Sequence, residues 1–317
     1  MQRTFLAPWP LLAVALALVA TVSLADEGPP AVKNDKGLPG VTGTLRQHER
    51  FPSDHVAPRN VNVWLPPSYE KDPKARYPVL YMHDGQNLHD PKTSFLGIDW
   101  GVDEAMTELI RAGKVREAIV VGVWNTPKRV QEYLPAKMIL SRKPGKEREA
   151  VFRELAKGGV KLDEKGLLSD RYLKFLVEEL KPFIDKTYRT KTGRADTFVM
   201  GSSAGALISL YAVCEYPDVF GGAGCVSTHW PIGDGLMIEY ARDRLPDPKT
   251  HRLYFDFGTK TLDEGYEPYQ KKMDAALLAS GYTKGRNWVT RKFDGAEHSE
   301  RAWRARVHVP LEFFFQR

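Results

Sequence analysis

Two rhythms of apolar residues alternate along this chain. Short runs that are apolar almost throughout, at residues 77–83, 118–124 and 221–228, have the length and β-branched content of strands buried on both faces. Residues 196–202, 252–258 and 287–293 are further strands. Between them lie segments with helical spacing. Val102, Met106, Leu109 and Ile110 share one face, closed by Gly113, and Leu173, Leu176, Val177, Leu180 and Ile184 share another, with Ser169 as its cap. Helices follow at 204–215, up to Ser280, and from Ser299 onward. Strands alternating with helices predict an α/β fold whose mostly parallel sheet is covered on both faces. Two earlier segments, 43–50 and 56–65, read as strands joined by a polar turn and ended by Pro66-Pro67.

The ends of the chain depart from this pattern. Residues 1–25 combine Arg3, an apolar run and small residues before Asp26, which predicts a secretory signal peptide; Pro8 and Pro10 leave a run of about a dozen residues, too short to span a bilayer. Residues 26–42, rich in Pro, Gly and charge, read as a disordered connector, and 43–317 as one catalytic-size domain. Within it, 141–168 is Lys- and Glu-rich and reads as a surface excursion or a lid.

Composition narrows the function. The formal charge of +6 arises from 46 basic and 40 acidic residues that are interleaved, with no zinc-finger, RNP or basic-zipper pattern. Nucleic acid is therefore excluded as a partner, while the mild basic excess favours an acidic or polyanionic substrate as the alternative to a merely charged surface. Cys214 and Cys225 have no metal-ligand spacing; two buried thiols are the expectation and a disulfide the alternative.

The chemistry centres on residues 196–205, Asp-Thr-Phe-Val-Met-Gly-Ser-Ser-Ala-Gly. Gly201, Ser203 and Gly205 form a GxSxG pattern in which a serine on a sharp strand-to-helix turn exposes its hydroxyl, and the flanking glycines select Ser203 over Ser202. A serine needs a base, and the base an orienting acid. Of eight histidines, His298, in the loop after the last strand, fits the order serine, acid, histidine. Asp263, in the loop after the preceding strand, is the leading acid, with Asp256 and then Asp294 as alternatives. The oxyanion donors are assigned to the backbone N–H groups of Ala204 and Gln86. In an open parallel sheet ligands bind beyond the carboxyl ends of the strands, which places Asp84, Asn87, His229 and Trp230 on the same rim as substrate contacts. Arg129 and Glu132 either touch substrate or form an internal ion pair.

The chain resembles the esterase family of α/β-hydrolases that includes feruloyl and acetylxylan esterases, enterochelin-type siderophore esterases and S-formylglutathione hydrolases. The resemblance rests on Tyr81-Met-His-Asp-Gly-Gln-Asn87, Arg129 with Glu132-Tyr133, Gly201-Ser-Ser-Ala-Gly205, and Phe220-Gly-Gly-Ala-Gly224. Gly258-Thr259 through Asp263, and Glu297-His298 with Trp303, complete it. It implies an α/β-hydrolase fold, a triad of Ser203, Asp263 and His298, no cofactor and no metal. One departure is that the stretch from Gly258 to Asp263 is two residues longer than the family's spacing. The expectation is an exported serine hydrolase, periplasmic or secreted, that cleaves a small-molecule or polysaccharide-linked ester through an acyl-enzyme. The alternatives are a siderophore esterase, an acyltransferase, and a catalytically silent binding protein on the same scaffold.

Overall fold

The computed structural model describes residues 32–35, 41–157 and 159–317. Among the described residues nine strands form one sheet in the order β1-β2-β3-β5-β4-β6-β7-β8-β9. β1 (Val32–Asp35), β2 (Thr44–Phe51) and β3 (Arg59–Leu65) are antiparallel to their neighbours. β4 (Val79–His83), β5 (Ile119–Val123), β6 (Thr197–Ser202), β7 (Gly222–Val226), β8 (Arg252–Gly258) and β9 (Trp288–Phe293) are mutually parallel.

The apolar runs of β4 to β8 exist because both faces of the sheet are covered. Tyr81, Val199 and Phe255 face one core, with Leu207, Ile208 and Tyr211; their neighbours Leu80, Met82, Phe198, Met200 and Tyr254 face the other, with Met106, Leu109 and Phe314. Side chains alternate sides with period two, so a strand without a polar face is the one residue pattern that serves both cores. Each large side chain so buried contributes about 1.5–3 kcal/mol relative to exposure.

The helices that cover the sheet are α1 (Val102–Arg111), α2 (Arg129–Tyr133), α3 (Ala136–Leu140), α4 (Lys146–Lys157), α5 (Ser169–Lys174) and α6 (Lys181–Thr187). After the central strand come α7 (Ala204–Glu215), α8 (Leu236–Arg242), α9 (Glu267–Ala279), α10 (Glu300–Arg306) and α11 (His308–Phe315). A π-helical turn, Phe175–Leu180, joins α5 to α6. The strand order reverses between β4 and β6: β5 lies to one side of β4, and β6 to the other. That switch point opens a crevice at the carboxyl ends of β4 and β6, where the Gln86 and Ser203 loops emerge.

Several sequence expectations change here. Part of the 26–42 connector is β1, which pairs Val32 with His48 through Asp35 with Leu45. Edge pairing uses backbone groups and leaves no apolar period to detect. The signal peptide lies outside the described residues. Ser169 is not a cap: it is the first residue of α5, and its Oγ accepts the Ala136 N–H at 2.7 Å. The segment 141–168 contributes α4, whose Val151, Phe152 and Leu155 pack on the core. Both cysteines are free thiols, and burial pushes Cys214 up to about 12 and Cys225 well above its ordinary value. Among the described residues no helix is long and apolar enough to cross a membrane.

Candidate active site

β6 delivers Ser203 directly onto α7. Ser203 has φ 57° and ψ −118°, a conformation an L-residue adopts only when its surroundings hold it, at a cost of roughly 1–3 kcal/mol. The sheet supplies that hold, since the Ser203 N–H donates to Val226 O at 2.9 Å and its carbonyl accepts the His229 N–H at 3.3 Å. Gly201 is required by close approach: a Cβ there would stand 2.8 Å from the Gly205 backbone. Ser202 is buried whereas Ser203 is half-buried.

His298 and Asp263 meet across the loops that follow β9 and β8. His298 Nδ1 lies 2.6 Å from Asp263 Oδ1, and the His298 N–H donates to Thr261 Oγ1 at 2.8 Å. Thr261 belongs to the longer acid loop, a 3-10 turn over Thr261–Gly265, so the extra length supplies a second tether to the histidine instead of displacing the acid. Asp263 is 1 % exposed. Its Oδ2 accepts from Ser227 Oγ and from the Gly258 N–H, each at 2.6 Å. Burial works against its ionisation, yet the hydrogen bonds from His298, Ser227 and Gly258 outweigh it and hold the carboxyl below the ordinary range.

Asp256 has a different job. Arg306 Nη2 donates to its Oδ1 at 3.0 Å, and the Tyr254 hydroxyl donates to its Oδ2 at 2.9 Å. Here burial prevails, and the carboxyl is raised. The two aspartates share Ser227: its Oγ donates to Asp263 while accepting from Arg306 Nη2 at 2.8 Å and from Trp303 Nε1 at 3.1 Å. Asp294 is exposed and lies 3.6 Å from Lys292. The sequence reading missed Ser227 and Arg306 altogether. A signal for Arg306 was present in its spacing from Trp303, three residues away on one helical face, which puts a charge on a face that must meet the sheet.

On the other side of Ser203, the chain leaves β4 through Asp84, in the left-handed region at φ 57°, into a 3-10 turn over Gly85–Asn87. Gly85 packs on β5 so closely that a Cβ would stand 2.3 Å from the Gly122 carbonyl carbon, so it is a packing requirement as well as a turn residue. Gln86 precedes the first hydrogen-bonded N–H of this turn, that of Asn87 to Asp84 O at 2.9 Å, and Ala204 is the first residue of α7. Both amides are therefore of the kind that a helix leaves without an internal acceptor.

The rim residues divide. Asp84 is gripped by Arg129, Nε to Oδ1 at 2.7 Å and Nη2 to Oδ2 at 2.8 Å, with Asn125 Nδ2 donating to Oδ1 at 2.6 Å. Burial would raise its pKa, but these partners more than offset that and hold it below 3.8. Glu132 is separate: it pairs with buried Arg59 at 2.7 and 2.9 Å. Asn87 Oδ1 accepts the Phe95 N–H at 2.9 Å and so braces the loop instead of facing a ligand. Trp230 is also turned away from the rim, 1 % exposed, stacked on Phe255 and donating to Gln270 Oε1 at 3.1 Å. The Trp230 N–H donates to Thr228 O at 2.7 Å, closing a tight turn at His229 that leaves its side chain half-buried while Trp230 enters the core. His229 Nδ1 lies 2.6 Å from the Tyr266 hydroxyl, and burial followed by the neighbouring His298 and Arg129 lowers its pKa to about 4. Half-buried Glu300, raised by burial and by Asp84, completes the surround.

The sheet, the switch-point crevice and the turn at Ser203 are those of an α/β-hydrolase. Residues 56–309 match the family model described as "Putative esterase", and the chain belongs to that esterase family. A relative from Xylanibacter ruminicola, an endo-1,4-beta-xylanase/feruloyl esterase, is 26% identical over 262 residues, which cover 81% of this chain and 29% of that protein. Among solved structures, a ferulic acid esterase superimposes with a TM-score of 0.59 at 18% identity, covering 86% of this chain and 97% of the other. An enterobactin esterase from Shigella flexneri gives 0.61 at 17% identity, covering 90% and 60%. At these identities the structural likenesses establish the fold.

Proposed function

We propose that this chain is an exported serine carboxylic-ester hydrolase that works through an acyl-enzyme. The observation that carries the proposal is the 2.6 Å contact between His298 Nδ1 and Asp263 Oδ1, taken with the strained turn at Ser203. In this reading Asp263 keeps the proton on Nδ1, leaving Nε2 as the base. His298 takes the Ser203 proton as Oγ bonds to the ester carbonyl carbon, and the oxyanion that forms is received by the N–H groups of Gln86 and Ala204. Collapse breaks the bond to the alcohol oxygen, which leaves with the proton from His298. Water then repeats the sequence on the acyl-enzyme and frees the acid.

A sugar-linked, small aromatic or acetyl ester is the substrate class. Support comes from the relative that joins a xylanase to a feruloyl esterase, and from apolar side chains exposed on the loops that flank the crevice. Phe95 is 62% exposed, Leu96 76% and Leu262 59%, an apolar margin suited to an aromatic acyl group. His229 adds a polar contact. A buried phenol needs an acceptor, so Tyr266 donates to Nδ1 and Nε2 carries the hydrogen, making His229 a neutral donor for the substrate. A siderophore ester is the second reading, favoured by the likeness to the enterobactin esterase and by the net charge of +6.

Ser203→Ala is expected to abolish p-nitrophenyl acetate hydrolysis while leaving the circular-dichroism spectrum unchanged, and undiminished turnover would overturn the assignment. Hydrolysis of feruloyl, acetyl and catecholate-siderophore esters by the intact chain separates the two substrate readings.

A further inference from the structure

At the end of the sheet opposite Ser203, the segments entering β6, β7, β8 and β9 line an open cavity of about 760 Å³. Among the described residues four cations line it, Arg194, Lys249, Arg252 and Arg286, and no acidic side chain does. The chain treats other arginines differently: Arg59, Arg129 and Arg304 each meet a carboxylate within 2.7 Å. Nearby acids are engaged or peripheral. Asp196 pairs with Arg116 at 2.5 Å, Asp247 accepts the Lys249 backbone N–H at 2.9 Å, and fully exposed Asp218 stands 3.8 Å from Arg194. His251 is occupied as well, with Nε2 2.8 Å from Pro217 O.

Arg252 is the informative member. It is half-buried, and its guanidinium reaches the Phe313 carbonyl at 3.4 Å. Burial and then the like charge of Arg116 act against its ionised form, and Asp196 offsets them only in part, so its pKa is lowered. Arg194 Nε is buried without a hydrogen-bond partner. The carboxyl end of α9 adjoins the cavity at Gly281, but its partial charge of about half a unit is small beside four whole cations. A concave wall of one sign concentrates the field inside it, and an entering anion would relieve the charge repulsion between Arg252 and Arg116.

We propose that this cavity binds a small ligand bearing two or more oxyanion groups, held by Arg252, Arg286 and Lys249. The site is separate from the Ser203 crevice, and its occupancy does not depend on the hydrolase reading. Phosphate and carboxylate share the required chemistry, and the cavity is larger than one such group fills.

The test is calorimetric titration of the full chain with pyrophosphate and, separately, with citrate in about 0.1 M salt, where exposed charges are already screened beyond about 10 Å. Binding of either anion tighter than about 1 mM supports the site, pyrophosphate marking a phosphate-bearing ligand and citrate a carboxylate-bearing one. Lys249→Gln with Arg286→Gln, both exposed positions, is expected to weaken binding about tenfold, and Arg252→Gln about as much, charge-assisted bonds being the strong ones. No detectable binding by either anion, or equal binding by wild type and the Lys249/Arg286 double variant, would overturn the proposal.

Discussion

On each side of Ser203 an arginine meets an aspartate, and the two pairs are built differently. Arg129 and Asp84, on the Gln86 side, form a two-pronged contact at 2.7 and 2.8 Å with the Arg129 side chain 31% exposed. Arg306 and Asp256, on the His298 side, are joined by one nitrogen at 3.0 Å, shared with Ser227, and both are almost wholly buried. Arg306 Nε and Nη1 are buried with no hydrogen-bond partner, although its guanidinium stacks 5.0 Å from the Phe293 ring centre. The first carboxyl is held below 3.8 and the second above it, so geometry prevails over burial in one pair and burial over geometry in the other. Asp84 thus acts as a permanent charge that orders a loop. Asp256 is a costly charge retained beneath the His298 support.

The largest way to break this comparison is Arg306→Leu. It leaves buried Asp256 without its cation and Ser227 with only the Trp303 donor, and is expected to cost about 3–5 kcal/mol in urea denaturation. A smaller loss is expected from Arg129→Leu, roughly 1–2 kcal/mol, because the side chain is partly solvated and Asn125 still holds Asp84. Its effect on p-nitrophenyl acetate hydrolysis should exceed its effect on stability, since the loop carrying Gln86 is what it braces; equal losses in the two measurements would remove that role.

Acid titration sharpens the contrast most finely. A depressed carboxyl contributes stability that is present above 3.8 and is lost as pH falls through its lower folded value; Asp84 and Asp263 are of this kind. A raised carboxyl costs stability above its folded pKa, and that cost is relieved as pH falls toward 3.8, as for Asp256. Asp84→Asn is therefore expected to flatten the fall in Tm below about pH 4, and Asp256→Asn to steepen the decline above it by removing the compensating gain. Slopes that move together in the two variants would show that the pairs are equivalent.

The sequence made the α/β alternation and the parallel strands legible because strands buried on both faces must be apolar throughout. Ser203, Asp263 and His298 were chosen from chain order and loop position; the structure brings Asp263 to His298 at 2.6 Å and pairs Asp256 with Arg306 instead. Roles decided by which way a side chain turns were not readable. Asn87 and Trp230 have the right residue types in the right loops, yet one braces Phe95 and the other stacks in the core. Ser227, buried at the end of β7, carries no motif, and its three-way contact appears only when β8 and α10 are folded against it. Short helices such as α2 and α8 also escaped, because one or two turns give too few residues to establish a period.

The four-residue strand at Val32–Asp35 has a consequence for how this molecule behaves in a crowd. β2 is eight residues long, and without a neighbour it would present an open row of amides and carbonyls to any passing chain. β1 occupies that row with a segment half as long, which offers little template for a further strand. At the far margin β9 carries exposed Arg291 and Lys292. One border of the sheet is thus closed by a short intramolecular cover and the other by charge, two different protections against intermolecular β-sheet growth.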